Sequence, residues 1–384
     1  MLKKCKYYNN HQTAVSLMID DLSPIYISYD NGKIKPWYDW GYERFKKDSL
    51  LDYFYKNFLN KFPEVKGTIY LPLKSEDGLP KTSNSGMYIK SNSFTNKDSD
   101  FFDNLSLFFD FAFHGLQHAS YRNNDVTDKY IYETENLKLI NYESIKNELE
   151  NFSRISNNVM SGGKFTGYHY FNEESFELIK KLGFKWWALR LSVNKKKNNS
   201  HSYIKIKSDK ILDLPTNLNG NSFKRYLENS SNLKSYYYSL KKFYRKIQIE
   251  NYLDYLYSNQ YVITIQEHFQ NQAFNGKIQT PNVFDDILSL EYIYSIIRGC
   301  DVWHVNNSEL SHYIESYDFT NIKNINENTI KIEYNGCWDK MFLSFLSNKP
   351  QIIENKTKKI IKGIYKNNFW IYNNLNQGLY SYEL

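Results

Sequence analysis

The stretch Ala14-Val15-Ser16-Leu17-Met18-Ile19-Asp20-Asp21 decides how the rest of the chain is read. A nearly unbroken apolar run that stops on two adjacent carboxylates reads as a buried strand ending in acids. Ser23-Pro24 just beyond supplies a cap-and-first-turn signal. Leu50, Leu51, Phe54, Phe58 and Leu59 then recur at helical spacing over residues 49–62, and residues 67–73 read as a second strand. Strand, helix, strand implies a parallel crossover unit. The unit repeats. Residues 107–113 are apolar except at Asp110 and lead into His114-Gly115-Leu116-Gln117-His118.

Further units follow in the same order. Residues 142–155 have helical periodicity, 164–170 are strand-like, 173–182 form a helix closed by Gly183, and 184–191 form a strand. Residues 195–232 are polar and read as an insertion with a hairpin near 203–212. A helix over 233–256 precedes a last core strand over 261–265 that runs to Glu267-His268, and a helix over 284–298 closes the barrel. Beyond Tyr317 the pattern becomes short alternating segments punctuated by Asn-Gly and Gln-Gly, as hairpins require. The expected architecture is α/β: a distorted (β/α) barrel over residues 1–318 with a small all-β domain over 319–384.

Length and composition agree with a globular chain of one large domain plus a small one. Of 384 residues, 41% are hydrophobic and 24% charged, which allows a buried core. The charge excess, 49 − 42 = +7, is spread along the chain and forms no dense basic stripe, so nucleic acid is not an expected partner. Cys5, Cys300 and Cys337 form no C-x-x-C pair, which excludes a cysteine zinc knuckle and suits a reducing compartment. No run approaches the roughly 18 apolar residues of a membrane span. The first ten residues lack the apolar stretch of a signal peptide, so the expected location is cytoplasmic, although a trimmed leader would look the same.

Chemistry is expected at the strand ends. In α/β architectures the loops after the strands converge on one mouth, so Asp20-Asp21 stands where a site would be, although a solvated turn capped by Asp21 or Ser23 reads the same. A four-residue step on a helical turn brings His114 and His118 onto one face, close enough to share a cation, while Gly115 weakens a regular helix there. Two histidines and one carboxylate leave open coordination positions, the mark of a catalytic metal. A bound cation lowers the pKa of water and polarises an amide carbonyl, and a second aspartate can accept the proton.

These residues, with the strand at Gly67-Thr68-Ile69-Tyr70, the segment 171–187 and Gln266-Glu267-His268, resemble the polysaccharide deacetylase (NodB-homology) family over about residues 13–310. The resemblance implies Asp20 as general base, Asp21, His114 and His118 as metal ligands, and His268 as general acid toward the leaving amine. It implies one divalent cation, zinc first, with nickel, cobalt, manganese or iron as alternatives. The substrate it implies is an N-acetylated sugar, oligosaccharide or lipid- or nucleotide-linked glycan. Three positions depart from the family pattern. Gly167-Tyr168-His169-Tyr170 lacks the arginine that steadies the base, leaving His169 and the Tyr170 backbone as candidate substrate contacts. The acidic partner of the acid histidine is not evident near Trp186-Trp187, where Trp187 is a candidate sugar-stacking residue. Gln266 stands where the family places an apolar residue of the acetyl pocket. A catalytically silent glycan binder and a hydrolase of another acyl group, such as formyl, are the two alternative readings.

Overall fold

The computed structural model describes residues 2–22, 27–29, 50–73, 87–89, 94, 96, 99–116, 119–121, 130–132, 142–166, 173–189, 204–206, 211–227, 236–269 and 280–382. Its central element is one curled sheet. The parallel strands are β1 (Thr13–Asp20), β2 (Gly67–Leu71), β3 (Phe109–Phe113), β4 (Gly162–Gly163), β5 (Trp186–Trp187), β6 (Ile211–Asp213), β7 (Leu218–Asn219) and β8 (Ile263–His268). A short β9 (Val302–His304) lies parallel to the start of β1. In space the order is 6-5-4-3-2-1-8-7, that of a ring of strands cut between β6 and β7, and no ladder joins those two among the described residues. The strand Ile204–Ile206 flanks β6 antiparallel. Helices α1 (Leu50–Phe54), α2 (Ser99–Leu105), α3 (Tyr142–Ser156), α4 (Glu173–Lys181), α5 (Tyr236–Ser258), α6 (Ile287–Arg298) and α7 (Asn307–Phe319) complete the layer. The fold is a distorted barrel.

Strand alternation sorts the core into two regions. Val15, Leu17, Ile19, Ile69, Phe111 and Ile265 point outward and meet the helices in the larger cluster. Ala14, Met18, Tyr70, Ala112 and Val262 point into the lumen, where Leu310 and Ile314 of α7 close the lower end. The N-terminus of α7 docks there through polar contacts. Asp110, the one polar residue of its strand, accepts from Thr68 and from the Ser308 backbone N–H, and Asn307 bonds Ser16, Thr68 and Tyr70.

Two parts of the fold differ from the sequence reading. The fourth strand is Gly162–Gly163 rather than residues 164–170; of these, Lys164, Phe165 and Thr166 lie past the strand and 167–170 fall outside the described residues. The reason is crowding. A Cβ on Gly162 would sit 2.2 Å from the Trp186 ring, and one on Gly163 would sit 2.5 Å from the Phe113 carbonyl oxygen. Only glycines let β4 pass between β3 and the paired indoles. Within the segment read as an insertion, β6 pairs parallel with β5 and β7 pairs parallel with β8, so residues 211–219 contribute two strands to the barrel sheet.

Beyond α7 the chain turns into antiparallel sheets. Thr320–Asn326, Thr329–Tyr334, Gly378–Tyr382, Gln351–Glu354 and Lys359–Lys362 form one, and Ser344–Ser347, Phe369–Asn373 and Ile364–Lys366 form another. The strand Lys3–Lys4 joins the second sheet beside Ser344–Ser347. No helix among the described residues is long and apolar enough to cross a membrane.

Candidate active site

The register of the barrel delivers its strand ends to one rim. Asp20 lies opposite His268 on one side and Tyr70 on the other, and Phe113 lies opposite Gly163. Lys164 and His114 are each the first residue past their strand, so both leave the sheet at the level where β1 ends. Asp20, Tyr70, His268, His114 and Lys164 are lumen-facing positions by alternation.

Asp20 and Asp21 would point to opposite faces if the strand continued. It does not: Asp21 adopts φ +66, a left-handed conformation that aspartate tolerates better than most residues but that still carries about 1–3 kcal/mol of strain. The turn lets both carboxylates face the same mouth. The Asp21 Oδ1 atom lies 3.3 Å from His114 Nε2, with both side chains almost wholly buried. His114 Nδ1 lies 2.9 Å from the Lys164 carbonyl oxygen, which can only accept. The Nδ1 atom therefore carries the proton, and Nε2 presents its lone pair toward Asp21.

This arrangement fits a first-row cation. Donor atoms 3.3 Å apart are close enough for both to bind one cation of that size. The third expected ligand, His118, lies outside the described residues, and among the described residues no group of three His, Cys, Asp or Glu side chains forms a metal site by itself. His114 and Asp21 are described and adjoin. They do so without a helix, since Gly115 takes φ +94 and its carbonyl accepts from the Leu73 N–H.

Asp20 is held from two directions. Its Oδ1 lies 2.5 Å from Lys164 Nζ, and its Oδ2 lies 3.7 Å from His268 Nε2. The Lys164 side chain is fully buried, and its ammonium also donates to Gln266 Oε1 at 2.7 Å and sits 4.5 Å from the centre of the Tyr70 ring. Lys164 is the member of this cluster that sequence reading missed. It lies upstream of the segment 167–170, where a cation was sought, and only its place after a two-glycine strand hinted that it enters the lumen. The orienting partner of His268 was also missed: its Nδ1 lies 2.6 Å from the Pro281 carbonyl oxygen. That acceptor places the proton on Nδ1 and turns Nε2 toward Asp20.

The remaining predicted residues divide as follows. His169 and Tyr170 lie outside the described residues. Trp187 is fully buried in the layer between sheet and helices, packed on Phe113, Phe165 and Phe184, so its indole has no face to offer a sugar. Trp186 is equally buried on the lumen side, its Nε1 donating to Ser161 Oγ. Glu267 points away from the mouth; burial, reinforced by Asp286, pushes its carboxyl well above the usual range. His304 stacks on Tyr294 and His312 on Trp338, as packing residues do.

No family model matches the chain, and no curated protein matches it. Among solved structures, the chain shows a distant likeness to three whose names refer to deacetylases or to the CE4 family. A putative polysaccharide deacetylase from Mycobacterium smegmatis is 12% identical, with 82% of this chain and 94% of that one covered and a TM-score of 0.42. A novel carbohydrate deacetylase is 8% identical over 98% of this chain and 66% of that one, with a TM-score of 0.47. A CE4 family pseudoenzyme from Bacillus anthracis is 11% identical over 78% and 65%, with a TM-score of 0.33. The chain thus spans less than two thirds of the length of the latter two.

Proposed function

We propose that the protein is a metal-dependent deacetylase that hydrolyses the N-acetyl group of an amino sugar in a glycan or glycan precursor. One observation carries the reading: a carboxylate and an imidazole of metal-ligating type, a second carboxylate held by a buried ammonium, and a second imidazole all meet at one barrel mouth. Asp21 and His114, with His118, would hold the ion. A divalent cation of the zinc type, bound there, would polarise the amide carbonyl and acidify the attacking water.

The chain's own residues then divide the proton work. Asp20 Oδ2, the oxygen not engaged by Lys164, is the basic atom that takes the proton of the water. In its imidazolium form His268 gives the Nε2 proton to the departing nitrogen, which is a poor leaving group as an anion, and is left as the Nδ1–H imidazole. Its Nδ1 bond to Pro281 keeps the ring turned for that transfer. A silent glycan-binding role drew its support from the missing arginine, and the Lys164 ammonium beside Asp20 supports the enzymatic reading instead.

The test combines metal content with acyl release. Purified protein is assayed for zinc, nickel, cobalt, manganese and iron by elemental analysis. It is then offered N-acetylated and N-formylated amino sugars and oligosaccharides. Acetate release that stops on chelation and returns with added metal is expected. Formate release alone would change the acyl group, and stoichiometric metal with no release from any substrate would overturn the proposal.

A further inference from the structure

We propose that Lys164 and Gln266 act as one positioning clamp on the Asp20 carboxylate, and that this pair replaces the arginine the sequence lacks. The inference rests on the deacetylase reading for the role of Asp20, while the clamp itself rests on contacts. Lys164 leaves β4, Gln266 belongs to β8 and Asp20 ends β1, so the ammonium crosses the lumen to reach both partners. All three side chains are buried.

The chemistry explains why two residues are used. A guanidinium can grip a carboxylate by two parallel donors and fix its plane, whereas an ammonium is a point charge with three rotatable donors. A lysine alone leaves its carboxylate free to pivot. Here the ammonium forms an ion pair with Asp20 Oδ1 at 2.5 Å and donates to Gln266 Oε1 at 2.7 Å, and the Tyr70 ring lies 4.5 Å from the same nitrogen. Gln266 is itself locked, since its amide nitrogen donates to the Glu267 carbonyl oxygen at 2.7 Å, which sets its Oε1 toward Lys164. An apolar residue at position 266 would leave a buried ammonium donor without that acceptor. The two departures from the family pattern, a missing arginine and a glutamine in place of an apolar residue, therefore become one linked feature.

A second property makes the clamp testable. The Lys164 backbone carbonyl tethers His114, while its side chain holds Asp20. Side-chain substitution should then disturb Asp20 and leave the His114 tether in place.

The experiment uses the cobalt-substituted protein with Lys164→Met, Gln266→Leu and the double variant, comparing kcat, KM and the visible d–d spectrum. Lys164→Met should keep cobalt stoichiometry and spectrum, leave KM within about threefold and lower kcat by roughly 10–100-fold, the range seen for partners that orient a working group. Gln266→Leu should lower kcat less, and the double variant should be no worse than Lys164→Met alone. Wild-type kcat in Lys164→Met, or effects of the two substitutions that simply multiply, overturns the clamp. If Lys164→Met does not fold, Gln266→Leu decides: an unchanged kcat overturns the proposal. If the wild type releases no acyl group from any sugar, the deacetylase reading fails separately. The clamp is then read from urea midpoints of Asp20→Asn, Gln266→Leu and their double variant, where additive shifts overturn it.

Discussion

The carboxyl of Asp110, where α7 docks under the barrel, should make the protein less stable as pH rises. Burial drives its pKa up to about 6 from an ordinary 3.8, with Glu309 adding to the rise and the Ser308 and Thr68 hydrogen bonds opposing it. A folded-state value above the unfolded one means that the folded chain binds more protons between those limits. Stability contributed by the neutral acid is thus present below about pH 4 and lost as pH rises through 6. At about 1.36 kcal/mol per pKa unit the full shift is worth about 3 kcal/mol, and because the residue keeps partial solvent exposure about 1.5–3 kcal/mol is the working range. Asp110→Asn removes the titration. It also loses one acceptor oxygen, a pH-independent cost of about 1 kcal/mol. Urea unfolding of both proteins from pH 4 to 7.5 tests the reasoning: the gap between wild type and variant should shift by about 1.5–3 kcal/mol in favour of the variant with rising pH. Parallel stability curves would refute the placement of a strained carboxylate at the base of the barrel.

Three further outcomes are expected. Asp20→Asn should retain metal, measured by elemental analysis, and lose about 10²–10⁴ in acetate release; loss of metal with activity would make Asp20 a ligand. His268→Ala should lower kcat by about 10²–10⁴ with metal affinity nearly intact, and a rate equal to wild type at saturating metal would remove it as the acid. Gly163→Ala should cost about 1–3 kcal/mol in denaturant unfolding, because its Cβ would meet the Phe113 carbonyl, a backbone atom that cannot move aside; a neutral effect would show that β4 has room to shift.

How far the chain could be read depended on side-chain pattern. The runs ending at Asp20 and Phe113, and the one reaching His268, are continuous apolar stretches and became β1, β3 and β8 close to their expected limits. Gly183 closes α4 with φ +78, as a glycine past a helix end does. The short alternating segments expected beyond Tyr317 are strands, among them Thr329–Tyr334 and Gln351–Glu354. β4 was misplaced because two glycines carry no hydrophobic signal. β6 and β7 were absorbed into a polar segment because strands of two or three residues are too short to show a period.

The sequence by itself determined the alternating order of strands and helices and the apolar runs that became β1, β3 and β8, because those patterns are local. It also supplied Asp20, Asp21, His114 and His268 as strand-end residues of one barrel. Only the tertiary structure decided that the Lys164 ammonium and Gln266 meet at Asp20, that Asp21 turns back toward His114, and that Trp187 is sealed in the core. Those outcomes depend on how tightly the sheet curls and on one backbone torsion at the end of β1. Neither leaves a mark in local spacing, because contacts across a lumen join strands that are far apart along the chain and neighbours only when the sheet closes on itself.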